Sequence, residues 1–125
     1  MNIVVSFFSE EPIYEQILNQ IKELILTRKL KSSEQLPSIR QLAKDLKVSV
    51  TTVKRAYEEL EKEGIIATLH GRGCYITDVN IEEIKKKNLA TSTERLKDLV
   101  KFCTSCGISR NELKEILDNI YEGEQ

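Results

Sequence analysis

This sequence of 125 residues has no long apolar run, only one histidine and an odd number of cysteines. No apolar stretch approaches the about 20 residues needed to cross a bilayer. The first eight residues have neither the basic start nor the cleavage site of a signal peptide. We therefore expect a cytoplasmic protein without a membrane partner. An enzyme is the least favoured class, because the chain has one histidine, no nucleophile motif and no glycine-rich phosphate loop.

Three cysteines argue against a closed disulfide framework, because their number is odd. Cys103 and Cys106 have the CxxC spacing of zinc or redox sites. A structural zinc needs four ligands, however, and His70 and Cys74 lie far away in the sequence. Cys103 and Cys106 also fall on the apolar stripe of a predicted helix, where free cysteine packs as a small hydrophobe. We expect packing roles for both, with no metal site and no cofactor.

Charge is unevenly distributed in this chain, although its formal net charge is only −1. Residues 38–57 contain five basic residues and one acid, a local charge of +4, whereas residues 91–125 sum to −2. A local basic face matters more for nucleic-acid binding than the total charge does. The hydrophobic fraction, 40%, is sufficient for a globular core.

Apolar periodicity predicts three helices before residue 64, preceded by a short strand at residues 2–8. Pro12 starts the first helix. Ser38 and Gln41 form a capping box at the second, and Ser49 caps the third, which ends at Gly64. The inward face of the third helix is expected to comprise Val53, Ala56, Tyr57 and Leu60. We expect Tyr57 to be a core residue rather than a DNA contact.

A hairpin and two further helices are predicted beyond Gly64. The apolar period changes from 3.6 to 2, which indicates strands at 65–69 and 74–77 joined by a loop at 70–73. A helical pattern returns after residue 78 and stops at Gly107, and a capping box of Ser109 and Glu112 begins the last helix. The lysine run at 85–87 and the hydroxyl run at 91–93 either interrupt this pattern or lie on a solvated face. We predict a mainly α chain, with a winged helix-turn-helix at 1–78 and a helical tail at 79–125.

The start of the third helix is the strongest functional candidate. A short helix that supports a second one across a tight turn projects the N-terminal residues of the second into the DNA major groove. Hydroxyl and basic side chains there suit phosphates and base edges. The candidates are Ser49, Val50, Thr51, Thr52, Lys54 and Arg55. Double-stranded DNA is the expected partner; a winged-helix protein-interaction module that never reads DNA is the alternative.

The tail carries two amphipathic helices that cannot bury both apolar stripes by themselves. Pairing with a second copy would bury them and would place two recognition helices across a two-fold axis. We therefore predict a homodimer. The expected dimerisation residues are Leu96, Leu99, Val100, Cys103, Leu113, Ile116, Leu117 and Ile120.

Five linked segments resemble the GntR family of bacterial regulators: PIYEQI at 12–17, LPSIRQLA at 36–43, TVKRAYEEL at 52–60, EGII at 63–66 and GRG at 71–73. They follow one another in order over roughly residues 10–77. The short helical tail resembles that of the YtrA-like subfamily, whose members add a two-helix dimerisation unit. The family also implies a repressor that occupies a pseudo-palindromic operator; the sequence identifies no effector.

The resemblance also implies particular DNA contacts. Arg40 corresponds to an arginine that contacts DNA in the family, and Ser38 is a further candidate DNA contact two residues before it. The family's recognition-helix positions correspond to Ser49, Val50, Thr51 and Lys54, and the wing tip that reaches the minor groove corresponds to His70, Gly71 and Arg72, followed by Gly73. The family often has glycine where Arg28 and Ser33 stand, and a polar, basic or proline residue where Val50 stands.

Overall fold

The computed structural model describes residues 1–123, which divide after Ile81 into two units. The first unit contains α1 (Ile13–Leu26), α2 (Ile39–Leu46) and α3 (Val50–Lys62), followed by β1 (Ile66–Leu69) and β2 (Gly73–Ile76). The tail consists of α4 (Ile81–Ser105) and α5 (Arg110–Gly123). The predicted order of three helices, a hairpin and two further helices is confirmed. No helix within residues 1–123 combines the length and apolar character that crossing a bilayer requires.

The core of the first unit lies between α1, α2 and α3. The stripe of α1 places Ile17, Ile21 and Ile25 in the interior, and α3 packs on both other helices. The predicted inward face of α3 is confirmed, because Val53, Ala56, Tyr57 and Leu60 are all buried. A buried side chain of this size contributes about 1.5–3 kcal/mol. This packing fixes the rotation of α3 and therefore determines which of its residues face solvent.

The first four helices all end with the same hydrogen-bond pattern. In each, the N–H groups of two successive residues return to carbonyls of the last turn at 2.8–3.3 Å, as in a Schellman motif. The left-handed residue in this motif is Gly64 after α3 and Gly107 after α4, as predicted, but Arg28 after α1 and Lys47 after α2. Arg28 and also Ser33 (φ +61° and +70°) thus adopt the conformation that favours the glycine often found there in the family.

The predicted strand at residues 2–8 is wrong. Two glutamine side chains, one turn apart on α1, hydrogen-bond the backbone of this segment instead. Gln20 accepts from the Val4 N–H at 3.0 Å and donates to the Val4 carbonyl at 2.7 Å. Gln16 does the same for Ser6, at 2.8 and 3.0 Å. The backbone groups that a neighbouring strand would satisfy are thus satisfied by side-chain amides.

Two local predictions hold only in part. Ser38 accepts from the Gln41 N–H at 3.1 Å, but the Gln41 amide donates to Asp45 at 2.7 Å, so the capping box is half formed. Cys103 is buried as expected, whereas Cys106 is exposed in the turn after α4. The packing role predicted for Cys106 is wrong because the helix ends one residue before it.

The two polar runs of the tail lie on one continuous helix. Residues 85–87 and 91–93 are exposed on α4 and do not interrupt it. The capping box that begins α5 is complete: Ser109 Oγ accepts from the Glu112 N–H at 3.1 Å, and the Glu112 carboxylate accepts from the Ser109 N–H at 3.0 Å. The bond from the Ser109 N–H, with a smaller contribution from the Ser109 hydroxyl, lowers the pKa of the Glu112 carboxyl, because a donor to the carboxylate favours its charged form.

Candidate nucleic-acid interface

A three-residue turn, 47–49, joins α2 to α3. Lys47 makes the reversal in the left-handed conformation, with φ +57°. Ser49 then caps α3: its Oγ accepts from the Thr52 N–H at 3.1 Å and lies 2.7 Å from the Thr52 hydroxyl. The serine cap predicted from sequence is therefore present, and it defines Val50 as the first residue of the helix.

The face of α3 opposite the core carries the predicted contacts. Val50, Thr51, Lys54 and Arg55 are exposed, whereas Thr52 is half-buried with its hydroxyl against Ser49. Their outward direction follows from the burial of the opposite face of α3.

The two basic side chains nearest the start of α3, Lys54 and Arg55, lie close to other side chains of the protein. The Arg55 guanidinium lies over the Tyr14 ring of α1, with 3.8 Å between the guanidinium carbon and the ring centroid. The Lys54 ammonium lies 3.9 Å from the Glu58 carboxylate one turn along. A cation stacked on an aromatic face has less freedom to reach a base edge. Arg55 is consequently placed less favourably for base contact than its position in the sequence indicated.

Arg40 and Ser38 stand at the start of α2. Ser38 is exposed, but its Oγ is the acceptor of the helix cap. Arg40 is exposed and forms no ion pair within residues 1–123. Its guanidinium is therefore available to a phosphate or a base.

The wing is a tight hairpin. Leu69 pairs with Gly73, which leaves a loop of residues 70–72, one residue shorter than predicted. The Arg72 N–H donates to the Leu69 carbonyl at 2.8 Å, and Gly71, with φ +74°, stands where a type II turn requires a left-handed residue. His70 and Arg72 are both exposed at the tip.

Gln35 contacts the wing, and this role was not predicted from the sequence. Its side-chain Nε2 donates to the Arg72 carbonyl at 3.1 Å. A Cβ placed on Gly73 would lie 2.8 Å from the same nitrogen, so Gly73 admits this close approach. The backbone beside Gln35 also bonds the hairpin, because the Leu36 N–H donates to the Cys74 carbonyl at 2.9 Å. Local pattern carries no signal for a contact between residues 37 positions apart.

Tyr57 belongs to the core, as predicted. Its hydroxyl donates to the Pro37 carbonyl at 2.7 Å, which ties α3 to the residues preceding α2. Burial, with a smaller contribution from Cys74, raises the pKa of Tyr57, since the ionised phenol would lose its hydration. The protonated phenol thus remains a hydrogen-bond donor at neutral pH.

Most of the predicted dimerisation residues are exposed in the single chain. Cys103 is buried and Leu113 is half-buried. The others are about half exposed, as are several apolar neighbours; they include Leu96, Leu99, Val100, Phe102, Ile116, Leu117, Ile120 and Tyr121. Scattered single apolar residues are normal on a protein surface, but this many on two consecutive helices indicate an interaction surface. Within residues 1–123, no group of three potential metal ligands occurs.

The family model of the bacterial regulatory proteins, gntR family, matches residues 13–76, slightly more than half of the chain. The chain belongs to the GntR family. The HTH-type transcriptional repressor YtrA of Bacillus subtilis (strain 168) is 40% identical over 112 residues, which are 90% of this chain and 86% of that protein. The resemblance found in the sequence, including its YtrA-like character, is confirmed.

Solved structures agree with this assignment. A transcriptional regulator from Oenococcus oeni superposes with a TM-score of 0.71 at 30% identity, over 94% of this chain and 97% of that one. YtrA from Sulfolobus acidocaldarius, a GntR-family transcription factor, gives a TM-score of 0.60 at 35% identity, over 74% and 97% of the two chains. The GntR-family chain is thus a winged-helix transcriptional regulator.

Proposed function

We propose that this GntR-family regulator is a cytoplasmic repressor that binds a pseudo-palindromic DNA operator as a homodimer. The observation that carries the proposal is the start of α3, where Ser49, Val50 and Thr51 are exposed directly after a tight turn and the basic residues Lys54 and Arg55 follow one turn along. In helix-turn-helix proteins this position enters the major groove.

The electrostatics of the first unit favour a phosphate backbone. The segment 38–57 carries a local charge of +4 in a chain whose net charge is −1. Arg40 and Lys54 lie exposed on α2 and α3, and Arg72 lies exposed at the wing tip. Cations so placed neutralise phosphates and release bound counterions, which drives association and makes it dependent on salt.

The exposed apolar surface of the tail is the evidence for the proposed dimer. The exposed apolar residues of α4 and α5 would be removed from water by pairing with the same surface of a second copy, because a two-fold interface uses the same patch on both subunits. Two recognition helices related by a two-fold axis read two half-sites of a pseudo-palindrome. Repression then follows from occupancy, since a dimer seated on the operator excludes the transcription machinery. The repressor name of the Bacillus relative supports this direction of control.

The proposal is tested by selecting bound sequences from a pool of random duplexes and measuring affinity by fluorescence anisotropy across salt concentrations. The logarithm of affinity should fall linearly with the logarithm of salt concentration. Arg40→Ala should weaken binding, and loss of one phosphate contact should reduce the slope by about one. Lys114→Ala, an exposed lysine on α5, is the matched control and should change neither quantity.

Failure to enrich any duplex, or binding that is insensitive to salt, would refute DNA recognition. The winged helix would then serve as a protein-interaction module, and mixing experiments with cell extract would look for a protein partner instead.

A further inference from the structure

Val50 makes the tip of the recognition helix apolar. It is the first residue of α3 and is 47% exposed. The other apolar side chains of α3, by contrast, are buried on the face of the helix that packs on the core. The turn before it makes that exposure unavoidable, because the Ser49 cap fixes where the helix starts. An isopropyl group therefore stands where helix-turn-helix proteins meet base edges.

The polar groups around Val50 are mostly engaged within the protein. The hydroxyls of Ser49 and Thr52 lie 2.7 Å apart and share one hydrogen bond. Arg55 stacks on Tyr14, and Lys54 lies 3.9 Å from Glu58. A bidentate contact to guanine needs a long donor aimed into the groove. The Lys54–Glu58 pair is exposed and weak, so Lys54 can still reach a phosphate, whereas the residues that the first turn of α3 exposes for reading bases are Val50 and Thr51.

The major groove offers one apolar group to such a tip. Among the four base pairs, only those containing thymine display a methyl group there, on C5; the other groups on the base edges are hydrogen-bond donors and acceptors. A valine facing a donor or acceptor would strip water from it without replacing the hydrogen bond, which is unfavourable. A valine facing the thymine methyl buries apolar surface on both sides.

We propose that Val50 selects a thymine in each operator half-site by contacting its C5-methyl group. The inference rests on the proposed operator binding and adds a base preference to it. Thr51, the next exposed residue, presents a hydroxyl and a methyl group beside Val50. Val50 is thus a specificity-determining residue, whereas Arg40 and Arg72 make electrostatic contacts with the DNA.

The test removes single methyl groups from the DNA. In the duplex obtained by selection, each thymine is replaced in turn by deoxyuridine, which keeps every hydrogen-bonding group and lacks only the C5 methyl. At one thymine per half-site the replacement should weaken binding of the unaltered protein about fourfold, the effect of about 0.8 kcal/mol for one buried methyl-sized group. Replacements outside the half-sites should have no effect.

The protein side of the test compares two valines. Val50→Ala should bind the thymine and deoxyuridine duplexes equally at the sensitive position. Val4→Ala, which truncates an exposed valine of the N-terminal segment, should keep the fourfold preference. The ratio of the two affinities is the readout, because a general loss of folding or affinity changes both by the same factor.

The possible outcomes separate this inference from the proposed function. Tight, salt-dependent binding to a selected duplex in which no deoxyuridine replacement has an effect would overturn the role of Val50 and leave operator binding intact. A thymine preference that persists in Val50→Ala would assign the methyl contact to another residue and would also overturn it. Loss of the preference in Val50→Ala alone supports it.

Discussion

Replacing Leu117 and Ile120 with lysine tests whether the tail joins two copies of the chain. Both residues lie on the apolar side of α5, and their side chains are 49% and 54% exposed in the single chain. Lysine keeps good helix propensity, so α5 should still form. The substitutions should yield a folded winged helix that is monomeric and binds operator weakly.

The size of the effect follows from these exposures. Full burial of a leucine or isoleucine side chain is worth about 1.5–3 kcal/mol, so a half-exposed one has about 1 kcal/mol left to gain. Four such side chains are lost per dimer, about 4 kcal/mol in total. This corresponds to roughly a thousand-fold increase in the dimer dissociation constant, before the cost of burying lysine charges is added. A dimer with a dissociation constant of about 1 nM would therefore have one of about 1 μM.

Sedimentation equilibrium and an operator titration measure the two consequences. The matched control is Phe7→Lys with Phe8→Lys, which places two lysines on exposed aromatic positions of the N-terminal segment. This control should remain dimeric and keep its affinity for operator. If the original protein sediments as a monomer at micromolar concentration, the reasoning about the tail is refuted. The same holds if the Leu117 and Ile120 variant remains dimeric.

Three further predictions concern the first unit. Thr51→Ala should cost about 1–3 kcal/mol of operator discrimination, whereas Arg40→Ala should weaken binding to all duplexes alike, because phosphate contacts carry no sequence information. In both variants the free energy of unfolding should change by less than about 0.5 kcal/mol, because both side chains are exposed; binding equal to that of the parent in both would contradict the placement of the interface. Arg72→Ala should lower affinity without changing the preferred major-groove sequence in a repeated selection, since a wing carries no helix into that groove. Lys47→Gly should raise the free energy of unfolding by about 0.5–1 kcal/mol in urea titrations: a left-handed residue costs about 1–2 kcal/mol, and the greater freedom of glycine in the unfolded chain offsets part of it. A decrease would show that the Lys47 conformation is not strained.

Features that depend on a few neighbouring residues were readable from the sequence. The serine caps at Ser49 and Ser109 each act on an N–H three residues later, so residue type and spacing suffice to locate them. The inner face of α3 and the stop at Gly64 follow equally from helical periodicity and from the left-handed preference of glycine. These local rules are why the start of α3 and most of its exposed residues were predicted correctly.

Two features could not be predicted from neighbouring residues, because they depend on which segments pack together. The alternation at residues 2–8 fits a strand, but no strand among residues 1–123 pairs with it, and Gln16 and Gln20 of α1 provide the hydrogen bonds instead. Lys47 reverses the chain between α2 and α3 without the glycine that would have marked such a turn. The cost of its left-handed conformation is offset by the packing of the two helices it joins.

The sequence by itself determined the family, the order of the elements and the residues offered at the start of α3, because these depend on residue type and spacing along one chain. Only the tertiary structure decided what those residues are free to do. It stacks Arg55 on Tyr14 of α1, brings Gln35 to the Arg72 carbonyl and leaves Val50 exposed at the tip of the helix. Each of these facts depends on which distant segments the core brings together, and that information is not contained in any local pattern.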